Sequence, residues 1–72
     1  MPHISLTLYK GRKDDDLKNM AQVLQKSLEE YAGWKPSDIS VSIKEEDPEG
    51  FVDYINHKTK SEKLVIPSDY IK

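Results

Sequence analysis

The 72-residue sequence has no cysteine, a single arginine and no apolar run longer than residues 64–66. Without cysteine the chain has neither a disulfide nor a thiolate ligand, and its two histidines lie far apart, which argues against a structural zinc site. Its longest apolar run is far shorter than the roughly 20 residues of a membrane-spanning helix or the 7 or more of a signal-peptide core. These absences predict a cytoplasmic protein with no metal, no cofactor and no membrane partner.

The charge of the chain is nearly balanced, with 11 lysines and arginines against 13 acidic residues and a net charge of -2. This balance argues against nucleic acid as a partner. Hydrophobic residues make up 36% of the chain, enough for one small domain over residues 1–72. A domain of this size buries only roughly 60% of the surface that its unfolded chain exposes. Because disulfides and metal are not available to stabilise it, the composition predicts a homo-oligomer.

Two segments, residues 3–8 and 39–44, alternate polar and apolar side chains as half-buried strands do. Between them, aspartates at 14–16 are expected to supply an N-cap and an acidic first turn, and apolar residues recur at helical spacing up to Gly33. Two strands joined by one crossover helix predict an α+β fold with a parallel β-α-β unit. The edges of such a sheet are open to pairing with a second copy.

After the second strand, the sequence predicts a short helix and a candidate closing strand. The segment Asp47-Pro48-Glu49 has the N-cap, first-turn proline and early acid of a helix start, so a short second helix carrying Phe51 and Tyr54 is expected. Residues 64–66 are a candidate for a short closing strand that ends at the following proline.

Pro2 is the residue with the most chemical potential, because it leads directly into the first predicted strand. Removal of Met1 by an aminopeptidase would leave Pro2 as an N-terminal secondary amine. Such an amine can act as a general base when an apolar pocket or a nearby cation favours its neutral form. The opposing interpretation is that a Met-Pro opening is common and has no catalytic meaning.

Several features together resemble the 4-oxalocrotonate tautomerase family: Pro2 opening an alternating strand, Gly11-Arg12 after it, the acidic helix start, and a second alternating strand that ends near Phe51. The resemblance extends over residues 2–55. The sequence is most similar to the small dimeric branch called probable tautomerases, in three features: the opening Pro2-His3-Ile4, the turn at 47–49 before an aromatic residue, and a tail with Pro67 and Tyr70. This resemblance implies a β-α-β tautomerase fold whose sheet is extended by dimerisation, and a dimer rather than a hexamer.

The resemblance also implies a cofactor-independent isomerase that catalyses keto-enol proton transfer on a small 2-oxo acid. Pro2 would be the general base and acid, Arg12 would bind the substrate carboxylate or enolate, and Phe51 would keep the site apolar. Ser40 stands where hexameric members carry a second arginine, and a dicarboxylate needs two cationic clamps. The expected substrate is therefore a monocarboxylic enol such as an aryl or alkyl pyruvate, with Tyr54 as a candidate wall for its apolar end.

An extended strand from Pro2 to Leu8 spans about 20 Å, so Pro2 and Arg12 of one chain are expected near opposite strand ends. If the first strands of two subunits pair antiparallel, the partner's Arg12 approaches Pro2. Two alternatives remain open, a non-catalytic oligomeric domain of the same fold and a promiscuous hydratase or dehalogenase. The latter needs a second acid or arginine to activate water, and the sequence has none at a matching position.

Overall fold

A computed structural model describes all residues 1–72 and contains two strands and two α-helices. Strand β1 spans His3–Tyr9, helix α1 Asp14–Ala32, strand β2 Ser40–Glu46 and helix α2 Pro48–Lys58. The strands pair in parallel and form a two-stranded sheet, with α1 as the connection between them. The α+β class and the parallel β-α-β arrangement predicted from the sequence are confirmed.

Alternation along the two strands gives the sheet two different faces. The register sets His3 opposite Ser40 and Tyr9 opposite Glu46. The inner face carries the apolar positions Ile4, Leu6, Leu8, Val41 and Ile43 and packs against α1. The outer face carries His3, Ser5, Thr7, Tyr9, Ser40, Ser42, Lys44 and Glu46, and α2 contacts it near the strand ends. The two helices therefore lie on opposite sides of the sheet.

Helix α1 begins at Asp14, one residue earlier than it would if Asp14 were its N-cap. Its N-cap is Lys13, and no side chain caps the first turn, so the prediction of an aspartate N-cap was wrong. The aspartates at 14–16 all fall inside the first turn, where their charge is favourable at the positive end of the helix dipole. The helix ends at Gly33, which has a φ of +80° and donates its N–H to the Glu29 carbonyl at 3.0 Å. No helix of the chain combines the length and the apolar character needed to cross a membrane.

Both strands continue beyond their predicted ends, and the second helix begins where expected. Strand β2 runs to Glu46 because its ladder with β1 extends as far as Tyr9. Asp47 is the N-cap of α2 and Pro48 its first helical residue, although the Asp47 side chain makes no capping hydrogen bond. Residues 64–66 form no strand, so that prediction was wrong. The segment has no ladder partner, because β1 and β2 pair only with each other.

The buried core of one chain is very small. Only Ile39 and Ile71 are buried, with 4% and 9% of their surface exposed. The side-chain amide of Gln25 on α1 donates to the carbonyls of Pro36 at 2.9 Å and Ile39 at 3.1 Å, which ties α1 to the start of β2. The Cα radius of gyration is 13.4 Å, against about 11 Å expected for a compact chain of this length. One chain therefore leaves much of its apolar surface in water.

Candidate functional site

Pro2 lies half-buried at the end of the sheet where both strands begin. Its carbonyl accepts a hydrogen bond of 3.2 Å from the Ser40 N–H, which fixes the residue beside the start of β2. The preceding Met1 is fully exposed, so its removal would cost no packing contact. While Met1 is attached, the Pro2 nitrogen is an amide without a basic lone pair. Without Met1 it is a secondary amine.

A polar cluster lies on the outer face directly after Pro2, and we call His3, Ser5, Ser40 and Ser42 the His3 cluster. The Nδ1 atom of His3 lies 2.6 Å from the Ser40 hydroxyl, and Nε2 lies 3.0 Å from the Ser42 hydroxyl. The Ser5 and Ser42 hydroxyls are 3.5 Å apart. All four side chains are exposed. Sequence reasoning singled out Ser40 but missed Ser42, whose signal is its polar position in an alternating strand.

Arg12 lies at the opposite end of β1, in the loop that leads to α1. Gly11 precedes it with a φ of +122°, a backbone conformation that glycine adopts without strain. The Arg12 guanidinium donates to the Asp16 carboxylate at 2.7 Å. A seven-residue strand separates Arg12 from Pro2. This strand spans roughly 20 Å, so the two residues do not meet within one chain.

Phe51 and Tyr54 lie on α2 at the same end of the sheet as Arg12. The Phe51 ring packs edge-to-face on Tyr9, with ring centroids 5.1 Å apart and an interplanar angle of 89°. The Lys44 ammonium lies 5.6 Å from the centroid of the Tyr54 ring. The predicted site residues thus fall into two groups, with Pro2 and Ser40 at the beginning of the strands and the other three at their ends.

A groove of about 440 Å³ opens between α1 and β1. Its lining residues are Leu6, Asp16, Asn19, Met20, Val23 and Leu24. No β2 side chain lines it, so it lies along the edge of β1 that faces away from β2. Val23 within it is 65% exposed. The groove is therefore an apolar surface beside an unpaired strand edge.

No group of three or more histidine, aspartate or glutamate side chains is arranged to hold a metal ion. Comparison of the chain with protein-family models, with curated proteins and with solved structures finds no match.

Proposed function

We propose that this protein is a cofactor-independent tautomerase, which moves a proton between the enol oxygen and the adjacent carbon of a small 2-oxo acid. The observation that carries the proposal is the position of Pro2. It is half-buried, held by the Ser40 N–H at 3.2 Å, and preceded by a fully exposed Met1. Removal of Met1 would create a fixed secondary amine at the head of the sheet.

A secondary amine can serve as both base and acid in this reaction. The Pro2 nitrogen takes the proton of the enol hydroxyl, the oxygen–hydrogen electron pair forms the carbonyl π bond, and the π electrons of the bond between carbons 2 and 3 move onto carbon 3. The Pro2 ammonium then returns the proton to carbon 3. Every atom and electron is accounted for, so the reaction needs no oxidant, reductant or cofactor.

The negative charge that develops on the substrate needs a cation, and we assign Arg12 to it, because it is the only arginine in the chain. Arg12 of the same chain lies too far from Pro2, so the proposal includes a second copy. If the β1 strands of two copies pair antiparallel, the end of one strand lies beside the start of the other. The partner's Arg12 and the partner's Phe51 would then approach Pro2.

The shape of the chain supports this homodimer. The unpaired edge of β1 is available for the ladder, and the apolar groove beside it would be covered by α1 of the second copy. One chain buries only Ile39 and Ile71, so such a contact would bury apolar surface that the single chain leaves in water. We propose a dimer rather than a hexamer, because the tail resembles that of the dimeric branch of the 4-oxalocrotonate tautomerase family.

The proposed substrate is a monocarboxylic enol of the aryl- or alkyl-pyruvate class. Beside Pro2 the chain offers the Ser40 hydroxyl rather than a guanidinium, so a dicarboxylate would lack its second arginine clamp. Tyr54 lies at the same end of the sheet as Arg12. In the proposed dimer the partner's Tyr54 would therefore lie near Pro2, and its ring would contact the apolar end of the substrate.

Ketonisation of phenylenolpyruvate, followed by absorbance, tests the proposal. The processed protein, with Met1 shown absent by intact mass, should be active. Pro2→Ala should lower kcat/KM by about 10²-fold or more. The matched control is the same chain prepared with Met1 retained, in which the Pro2 nitrogen is an amide, and it should be inactive. Equal activity in all three preparations, no activity in any, or retention of Met1 in natively produced protein would contradict the proposal.

A further inference from the structure

The His3 cluster occupies the part of the outer face nearest to Pro2, away from the end that α2 contacts. The register places His3 opposite Ser40 and Ser5 opposite Ser42. The His3 ring lies between two serine hydroxyls, at 2.6 Å on Nδ1 and 3.0 Å on Nε2. The proton transfer proposed for Pro2 uses none of these side chains, although the cluster begins one residue after it.

Both partners of the His3 ring are hydroxyls, which can donate or accept a hydrogen bond. When the ring is neutral, one of its nitrogens accepts, and the hydrogen of that serine is engaged. When the ring is protonated, both nitrogens donate to the oxygens of Ser40 and Ser42. Both hydroxyl hydrogens are then free to point away from the ring. A protonated His3 therefore presents a positive charge and two O–H donors together.

The charges around the cluster favour an anion as its ligand. Apart from His3, the only charged side chains on the outer face of the strands are Lys44 and Glu46, which pair with each other at 3.6 Å. Helix α2 contacts this face at Tyr9 and Lys44, and none of its charged side chains forms an ion pair with either strand. Glu46 lies four residues beyond Ser42, so no strand carboxylate competes directly for the serine donors.

We propose that His3, Ser40 and Ser42 bind the carboxylate of a small organic acid, and that this binding draws a proton onto His3. Serines two residues apart on a strand hold their hydroxyls roughly 6 to 7 Å apart, a gap that one carboxylate can bridge with two ordinary hydrogen bonds. That this acid is the substrate of Pro2 rests on the proposed function. The chain that supplies Pro2 then also holds the carboxylate, and the partner's Arg12 is left to the enolate oxygen.

The two histidines of the chain allow a direct test, because His57 makes no side-chain hydrogen bond and serves as an internal reference. Ring nitrogen resonances of both are followed by NMR as benzoate is added, at a pH where His3 is mostly neutral. Benzoate should shift His3 toward its protonated form in a saturable manner and leave His57 unchanged. Benzyl alcohol, which has the ring without the carboxylate, should shift neither.

The double variant Ser40→Ala/Ser42→Ala should weaken benzoate binding at least about tenfold, whereas Ser27→Ala/Ser37→Ala, which removes two serines outside the cluster, should not. An unchanged His3, an equal response to benzyl alcohol, or full affinity in the Ser40/Ser42 variant would overturn the proposal. The titration requires no turnover. A responsive His3 in an inactive protein would therefore refute only the tautomerase function, and an active enzyme with an unresponsive His3 would refute only the carboxylate site.

Discussion

Arg12 and Asp16 form an ion pair of 2.7 Å across the start of α1, four residues apart in the chain. The Arg12 side chain is 57% exposed and that of Asp16 44% exposed. Exposed pairs of this kind contribute about 0 to 1 kcal/mol, so a substrate carboxylate or enolate could take the place of Asp16 at little cost. The pair holds the only arginine of the chain in a defined position, although it contributes little to the stability of the fold.

Removal of the Asp16 charge should raise the activity if Arg12 acts on the substrate. We expect Asp16→Asn to raise kcat/KM for phenylenolpyruvate about two- to fivefold, mainly through kcat, because the guanidinium loses the partner that competes with the developing enolate charge. Asp15→Asn is the matched control, since it also removes a first-turn acid but breaks no ion pair. Identical kcat/KM values for the two variants in steady-state kinetics would argue that Arg12 does not contact the substrate.

The proposed sharing of the site between two subunits predicts complementation between two inactive variants. Pro2→Ala and Arg12→Ala should each be nearly inactive, but their mixture should recover about a quarter of the wild-type activity, because half of the dimers would contain one intact site. The measurement is activity after subunit exchange at equal concentrations. A mixture as inactive as its components would show that Pro2 and Arg12 do not act across a subunit boundary.

The groove beside β1 predicts where a charge would prevent association. Val23 is 65% exposed in the single chain, so Val23→Glu removes little packing within that chain while placing a charge in the proposed interface. We expect a monomer by sedimentation velocity and at least about a tenfold loss of activity. Tyr31→Glu is the control, because Tyr31 is 90% exposed on the same helix and does not line the groove. A Val23→Glu dimer with full activity would contradict this interface.

Two glycines should respond to alanine in opposite directions. Gly33 has a φ of +80°, so Gly33→Ala should lower the free energy of unfolding by about 1 kcal/mol. Gly50 lies in the first turn of α2, and a Cβ there would meet Glu46 Oε1 at 3.6 Å, an ordinary contact. Gly50→Ala should raise the free energy of unfolding by a few tenths of a kcal/mol through helix propensity. Urea titrations compare the two, and a shift of the same sign in both would contradict the backbone argument.

The fold was predictable where local pattern decides it. Strict alternation specified both strands, and helical spacing up to Gly33 specified α1. The sequence pattern predicted less where pairing with a distant strand decides the structure. Glu45 and Glu46 lack strand propensity, yet they belong to β2 because they pair with Leu8 and Tyr9. Residues 64–66 have the propensity without a partner and remain outside any sheet.

The separation of the candidate residues Pro2 and Arg12 was predictable from the sequence, but the neighbours of the candidate residues were not. Strand length alone separated Pro2 from Arg12, and the structure places them at opposite ends of β1. The position of the His3 ring between Ser40 and Ser42 depends on the register of two strands that are distant in the sequence. Alternation predicts that these side chains share one face with His3, but not which of them lie opposite each other.

Burial of only two side chains within one chain has a consequence for folding itself. Where a second copy covers the half-buried faces, folding and association become one equilibrium governed by mass action. The midpoint of thermal unfolding then rises with protein concentration, because the folded dimer is favoured over two unfolded chains. Dilution, which leaves the stability of a self-sufficient monomer unchanged, would then destabilise the proposed dimer.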